Sequence, residues 1–510
     1  VVAESKTLRR WLESGTNAVK RARTRLDAIN VFPVADSDTG TNLYLTLREG
    51  NRAVVYLPDS ASHREVVAAF ARGCLMGARG NSGVIVSQYL TAFLAKIDAA
   101  GGLAKSTGET IASALEAAAD AAYEAVGEPV EGTILTVARA AAEGARGAVQ
   151  VGAGLEAVAV AAVVSARAEL ARTTETLAEA RAAGVVDAGA AGLLLQLEVL
   201  AETIAGPEAL ATIDEVEWEM RERIGGLTPA EGAAAHKHAL GGGAYEVMFV
   251  ARANRIMDDS GDVSLKDALR GVGDSVAVTG IVGLWQAHVH TDHPERAIQL
   301  ARAVSATQIV VRDVMSTGCG GSTGIVALTT CPGLASALAG AGAAVLVALD
   351  PEVVAMWDLE RILADAGTDR VIVVAGAEAL ASAASALIET VKEPTVIVLD
   401  SLSEPQVVAA LVAAALVPPG EDAEDAMRAA IARCFVTNAR IDSIAEDLGR
   451  MITPEAEVAT IILGDGIPTS AAQDAVSRLA VSAPDVEVHV YSGGQAEPAV
   501  IIGVETAVPR

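Results

Sequence analysis

The run Asp36-Ser-Asp-Thr-Gly-Thr-Asn42 sets two carboxylates two residues apart and follows them with a glycine and small polar side chains, with no apolar residue among them. In a chain that is 51% hydrophobic, a polar knot of this kind needs a reason. One reading is a turn before a helix, with Asp or Thr as the cap. The other is a ligand site. Hard divalent cations take oxygen ligands, and Mg²⁺ is usually held by one or two carboxylates together with phosphate oxygens. Gly40 would let the backbone approach a phosphate, and Thr39, Thr41 and Asn42 would offer it donors.

At 510 residues the chain exceeds what one core can serve, so several domains are expected. Aromatic residues make up only 3% while Ala and Gly abound, so helices must pack closely with small residues between them. A net charge of −27 argues against broad binding to nucleic acid or to anionic membranes. The exception is the start of the chain, where Lys6, Arg9, Arg10, Lys20, Arg21, Arg23 and Arg25 form either a solvated helix face or an attractor for a polyphosphate. Cys74, Cys319, Cys331 and Cys434 are scattered without a CxxC, which fits a reducing compartment. No signal peptide stands out, and no uncharged apolar run of about 18 residues does either. The stretch 147–165 comes nearest but contains Glu156. The expectation is a cytoplasmic protein without a membrane span.

Residues 1–205 read as helices, with runs of helical length and spacing at 64–77, 83–99, 109–126, 133–148, 154–171 and 189–204. Short breaks between them predict antiparallel neighbours in a bundle. Residues 206–230, with Pro207, Pro229 and Gly225-Gly226, read as a linker. Residues 231–318 follow the order β-α-β-β-α-β, with strands at 245–253, 275–281, 284–290 and 308–314, which suggests a small ferredoxin-like α+β domain. From 322 to 510, β-branched strands at 324–329, 344–349, 370–375, 395–399, 457–463, 486–491 and 499–504 alternate with Ala-rich helices. This pattern predicts an α/β region built on parallel sheets, with a break near 418–425 that divides it into two lobes.

Three further segments of the helical region share the character of the first. Gly77-Ala-Arg-Gly-Asn-Ser-Gly83 opens an apolar helix, as a phosphate cradle of free N–H groups does. Glu131-Gly-Thr-Ile-Leu-Thr136 and Gly184-Val-Val-Asp-Ala-Gly-Ala-Ala-Gly192 also lie at helix starts. A helix cap explains any one of them alone, and their joint presence on one bundle is the stronger signal. The stretches "LDAINVFPVADSDTGTN", "GARGNSGVIVSQ", "EGTILTVARAAAEGA" and "AGVVDAGAAGLLL" resemble the nucleotide-binding domain of the dihydroxyacetone-kinase L-subunit type. Together with the later domains, the chain resembles the ATP-binding subunit of bacterial fatty acid kinases over essentially its whole length.

That resemblance implies an eight-helix, barrel-like bundle that holds ATP and two Mg²⁺ at one mouth. Asp36 and Asp38 are then the catalytic metal ligands, with Thr39, Gly40, Thr41 and Asn42 at the metal and phosphate end. Gly80, Asn81, Ser82 and Gly83 match the phosphate loop, and Thr133 and Asp187-Ala188-Gly189 line the nucleotide pocket. Where the wider family often carries a third metal-binding Asp, this chain has Asn30, one position off the usual spacing, as a tentative oxygen ligand. The usual Pro and Gly around Asp36 are Ala35 and Ser37. The implied reaction is phosphoryl transfer from ATP to the carboxylate of a fatty acid presented by a separate fatty-acid-binding protein, giving acyl phosphate and ADP. Such an acceptor is already ionised at neutral pH and needs no general base. The C-terminal region would dock that partner, and a homodimer is expected. The alternatives are a small-polyol kinase of the dihydroxyacetone type and a non-catalytic, ATP-binding regulatory scaffold.

Five of the seven histidines, His236, His238, His288, His290 and His293, fall in the middle region. His288-Val-His290 on a strand sets both imidazoles on one face, as a Zn²⁺ pair or as a polar strand face. By resemblance a cysteine would face them, but the matching position is Ala244. That leaves a thiolate-free zinc site of His288, His290 and His238, with Glu246 also available. Asp350, Asp400, Asp465 and Ser492-Gly-Gly494 follow strands, where turns and α/β ligand sites both occur.

Overall fold

The structure is a computed structural model that describes residues 2–33, 35–211, 243–252, 261–281, 283–314, 323–366, 368–388, 391, 393–418 and 421–507. The chain forms two compact units, one of residues 1–243 and 250–290 and one of residues 244–249 and 291–510. Most of the expected linker, together with His236, His238 and Cys319, lies outside the described residues.

The first unit begins with the helices α1 (Val2–Ala28), α2 (Thr39–Val55), α3 (His63–Gly77), α4 (Gly80–Ala99), α5 (Gly108–Ala125), α6 (Ile134–Gln150), α7 (Leu155–Thr176), α8 (Ala178–Ala183) and α9 (Ala188–Ala205). The helical runs read from the sequence are all present. The additional short piece is α8, which ends at Gly184 in the left-handed conformation that favours glycine (φ 69°). Local chemistry fixes the starts. Ser62 and Glu65 form a capping box on α3, Thr107 and Thr110 form one on α5, and Thr133 and Asp187 cap α6 and α9.

The core of the bundle is Leu, Val and Ala with a few aromatics such as Trp11, Phe70, Tyr89 and Phe93. Small residues bring backbones together, as the composition predicts. At the α2–α3 crossing, a Cβ on Gly73 would lie 2.6 Å from the Glu49 carbonyl oxygen and 2.9 Å from the Gly50 Cα. Among the described residues, α9 has the length and hydropathy to cross a membrane, but 61% of that stretch is buried inside the unit. It is a core helix held by the Arg167–Glu198 ion pair to α7, 2.7 Å long.

The same unit carries α10 (Gly261–Arg270) and the antiparallel hairpin of β2 (Asp274–Ile281) and β3 (Leu284–Thr291), paired Thr279 to Gln286 and Ala277 to His288. The hairpin rests on the helices. Gly127 donates its N–H to the Val276 carbonyl at 3.1 Å, and Lys266 donates to the Val126 carbonyl at 2.9 Å. Strand β1 (Tyr245–Arg252) is divided between the two units.

The second unit adds α11 (Pro294–Ala303), β4 (Thr307–Asp313), β5 (Thr323–Thr329), α12 (Ala335–Gly340), β6 (Ala343–Val347), α13 (Met356–Asp365), β7 (Arg370–Ala375), α14 (Glu378–Ile388), β8 (Thr395–Val398) and α15 (Glu404–Ala415). Strands β6, β5, β7 and β8 are parallel neighbours, while β4 joins β6 antiparallel. After α16 (Glu424–Arg433) comes a second sheet of β9 (Cys434–Ala439), β10 (Ala456–Leu463), β11 (Glu487–Ser492) and β12 (Val500–Thr506), in the order β11-β10-β12-β9, with α17 (Ile444–Met451) and α18 (Gln473–Ser482).

The expectation of parallel sheets is therefore corrected. Strand β12 runs antiparallel to β10 and to β9. The short link from β11 to β12 cannot hold the crossover helix that a parallel return needs. Strand β9 was not expected at all, because Cys434-Phe-Val-Thr-Asn-Ala439 follows an Ala-rich helix with no turn residue between them.

The close α2–α3 crossing yields a test. Gly73→Ala is expected to lower the unfolding free energy by about 1–3 kcal/mol, since the added methyl must push backbone rather than a flexible side chain. Urea titration reads it, and an unchanged midpoint would contradict the packing described.

Candidate active site

The Asp36–Asn42 knot is the loop into α2, and its carboxylates are held from both sides. Asn30 donates its amide N–H to Asp36 at 2.5 Å and accepts the Thr39 hydroxyl at 2.9 Å. Asn42, one turn into α2, donates to Asp38 at 2.7 Å. Asp36 and Asp38 stay half-buried, whereas Asn30, Thr39 and Asn42 are buried. Asn30 thus orients Asp36, and its oxygen already accepts a hydrogen bond.

A third carboxylate does lie at this loop. Asp27, near the end of α1, accepts the Thr41 backbone N–H and the Thr41 hydroxyl, each at 2.8 Å. Burial pushes its pKa up, the Thr41 bonds pull it down, and the charge of Asp38 pushes it up further. Sequence reasoning passed over Asp27. It lies inside the quoted "LDAIN" stretch, but only the turn between α1 and α2 brings it back onto Thr41.

Ser37 carries φ 59°, the left-handed region where a side chain costs energy. That conformation explains why glycine suits this position. Gly40 serves a different purpose from the one its motif suggests. A Cβ there would collide with the Arg23 carbonyl and Leu26 of α1, so this glycine permits helix packing.

The second motif is brought directly against the first. Gly80 (φ 57°) lies against the Asn42 amide and Gly83 against the Thr46 hydroxyl, each so close that a Cβ would clash. Asn81 and Ser82 are half-buried in the first turn of α4. The third and fourth motifs also meet. The Asp187 carboxylate accepts from the Ala190 N–H at 2.7 Å and from the Ile134 backbone, so it caps α9 and α6 together. A Cβ on Gly189 would sit 3.5 Å from that of Ile134, and Gly192 packs on Leu43 of α2. Contacts within the opening turns therefore link α4 to α2, α2 to α9 and α9 to α6. Thr133 and Asp187 are buried, and their oxygens serve these caps; Ala188 and Gly189 are buried beside them. Four helix N-termini carry partial positive charge, which suits an anion in a chain of net charge −27.

Several other expectations resolve into structural roles. Arg9 donates to the Val54 and Pro58 carbonyls at the far end of α2. His63 pairs with Asp98 at 3.0 Å, near the end of α4 opposite Gly80, about 27 Å along the helix. Asp350 caps the Glu352 N–H at 3.1 Å, Asp465 pairs with Arg302 at 3.1 Å, and the N–H groups of Gly493 and Gly494 donate to the Leu463 carbonyl. These are turns rather than ligand loops. The described cysteines Cys74, Cys331 and Cys434 are buried and unpaired. His288 and His290 lie side by side on β3, both buried, with ring centroids 4.9 Å apart. Glu246 is paired with Arg312 at 2.8 Å, and His238 lies outside the described residues.

Comparison with known proteins supplies the family. Residues 33–202 match the DAK2 domain, residues 242–317 the FakA-like middle domain of fatty acid kinases, and residues 434–505 the FakA-like C-terminal domain of the same kinases. The chain carries the domain set of a FakA-like fatty acid kinase protein. Protein YloV of Bacillus subtilis is 42% identical over 140 residues, 28% of this chain and 25% of that protein. An uncharacterized protein of Staphylococcus haemolyticus is 48% identical over 120 residues, 24% of this chain and 21% of that one. The aligned segments thus span about a quarter of these relatives' own length. The dihydroxyacetone kinase of C. freundii overlaps 38% of this chain and 34% of its own at 20% identity, with a TM-score of 0.29, too low a likeness to carry an argument. All four motifs fall within the DAK2 domain.

Two tests follow for the DAK2 domain. Ser37→Gly relieves the left-handed strain and is expected to stabilise by up to about 1 kcal/mol, read as a raised thermal midpoint. Asp187 is fully buried, and burial pushes its pKa up to about 6 against the pull of its two N–H donors. The folded chain therefore keeps this proton to higher pH than the unfolded chain does. The resulting stability is present below the unfolded value of about 3.9 and is lost as pH rises through about 6. Asp187→Asn keeps the capping oxygen without titrating, so between pH 4 and pH 7 it should gain on the wild type by roughly 2–3 kcal/mol. A difference in unfolding free energy that does not vary with pH would contradict the assignment.

Proposed function

We propose that this chain is the ATP-binding, phosphoryl-transferring component of a fatty acid kinase. The reading rests above all on the half-buried Asp36 and Asp38 pair set beside the glycine-lined start of α4. The two carboxylates are hard oxygen donors, and Asn30 and Asn42 orient them from behind, which fits Mg²⁺. Bound there, Mg²⁺ would neutralise phosphate charge and align the reacting groups. The chain's own contribution is positioning. Gly80 to Gly83 present the N-terminal turn of α4 to an anion, and the starts of α6 and α9, joined by Asp187, extend the same positive field.

Phosphoryl transfer needs positioning and charge neutralisation more than covalent help. Among the described residues of the DAK2 domain, the histidine His63 is remote from this loop, so no imidazole base is at hand. An acceptor that is already ionised suits such a site. A fatty-acid carboxylate meets that demand and gives acyl phosphate with ADP. The middle and C-terminal domains, shared with FakA-like proteins, favour this acceptor over a small polyol. A separate lipid-carrying protein would bring the acceptor, in the cytoplasm. A zinc ion at His288 and His290 belongs to the same proposal, and elemental analysis of tag-free protein tests it separately: absence of stoichiometric metal removes the zinc.

The decisive assay combines the purified chain with ATP, Mg²⁺, oleate and a fatty-acid-binding partner and follows ADP release and acyl phosphate. Turnover on dihydroxyacetone instead would replace the acceptor, and ATP binding without turnover would leave a regulatory scaffold. In the active system Asp38→Ala should cost about a thousandfold or more in rate. Folding should survive, because the carboxylates repel one another when no metal is bound. Unchanged turnover in that variant would refute the assignment.

A further inference from the structure

The phosphate turn at the start of α4 is held by side chains from three places, and one of them comes from outside the DAK2 domain. The Arg79 backbone N–H donates to the Thr46 hydroxyl of α2 at 3.2 Å. The Arg79 guanidinium, 1% exposed, turns back onto the Gly77 carbonyl at 2.6 Å. The Ala78 carbonyl accepts from the side-chain amide of Gln286, which lies on β3 in the middle domain. Gln286 is fully buried, and its Oε1 has no hydrogen-bond partner. A buried amide with one half unsatisfied is costly, so its N–H bond to the loop is what the position offers in return. Apolar contact supports the same junction, where Ala277 of β2 packs with Ala78 and Val84 on either side of the turn.

We infer that Gln286 is a positioning residue of the nucleotide site, through which the middle domain sets the backbone of the Gly80–Gly83 turn. The inference rests on the proposed nucleotide site and deepens it. Ala78 lies just ahead of the turn, separated from Gly80 by Arg79 alone, and the Arg79 carbonyl accepts the Gly83 N–H at 3.0 Å. A shift of the Ala78 peptide therefore passes directly to the N–H groups that would face phosphate. Gln286 touches no reacting group; it acts through the loop.

Equilibrium binding of Mg·ATP to the full-length chain, without acceptor or turnover, tests this. Gln286→Leu keeps the volume and removes the donor, and the dissociation constant is expected to rise about tenfold. Gln286→Glu adds a signature that a merely architectural bond lacks. At pH about 5 its buried carboxyl is protonated and can donate to Ala78, so affinity should lie near wild type. At pH about 8 it is expected to fall away as the carboxylate faces the carbonyl. Affinities equal to wild type in both variants at both pH values, whatever the change in thermal midpoint, would overturn the inference while leaving the nucleotide site standing. Failure of the wild-type chain itself to bind Mg·ATP would remove the site and this inference with it.

Discussion

Everything at the candidate site depends on how closely α4 can approach α2. Gly80 and Gly83 present bare backbone to Asn42 and Thr46, and any side chain in their place would collide with them. The same Asn42 holds Asp38 at 2.7 Å. One side chain therefore touches the proposed metal-binding carboxylate on one side and the phosphate turn on the other. A larger residue at Gly80 or Gly83 would separate two halves of one site, so the small size of these residues is itself the functional property.

A second constraint is electrostatic. Carboxylates collected without a cation repel one another, and Asp38 visibly disfavours the charge on Asp27. The fold sets this cost beside the N-terminal turns of α2, α4, α6 and α9, whose free N–H groups favour negative charge. Asp187 uses its carboxylate to join two of those termini, and does so fully buried. The arrangement is poised for a ligand that carries both signs, a polyanion with its divalent cation. The N-terminal basic residues play little part in this: Arg9 is engaged at the far end of α2, and Lys6, Arg10, Lys20, Arg21 and Arg25 are exposed.

Much of this was legible in the chain. Helix periods, capping residues and β-branched runs predicted most elements to within a few residues, because those signals act over one or two turns of local backbone. The four motifs were legible as polar interruptions in an apolar chain. Asp27 was not, because nothing in its local sequence distinguishes it from an ordinary residue at a helix end. Strand β9 was missed for a related reason: its pairing with β12 is a long-range fact, and its own residues follow a helix without punctuation. The antiparallel placement of β12 likewise depends on which partner the strand reaches.

The sequence by itself determined the helical and α/β character of the two halves, the Asp36 and Asp38 pair, and the glycines that must lie where no side chain fits. These follow from propensity, polarity and steric size, which each residue carries with it. Only the tertiary structure decided which groups meet. It set Asn30 behind Asp36 as an orienting amide, returned Asp27 to Thr41, joined α6 to α9 through Asp187, and reached from β3 to the phosphate turn through Gln286. Those pairings span up to 208 residues of chain, and a hydrogen bond between such distant partners exists only once packing has placed both of them.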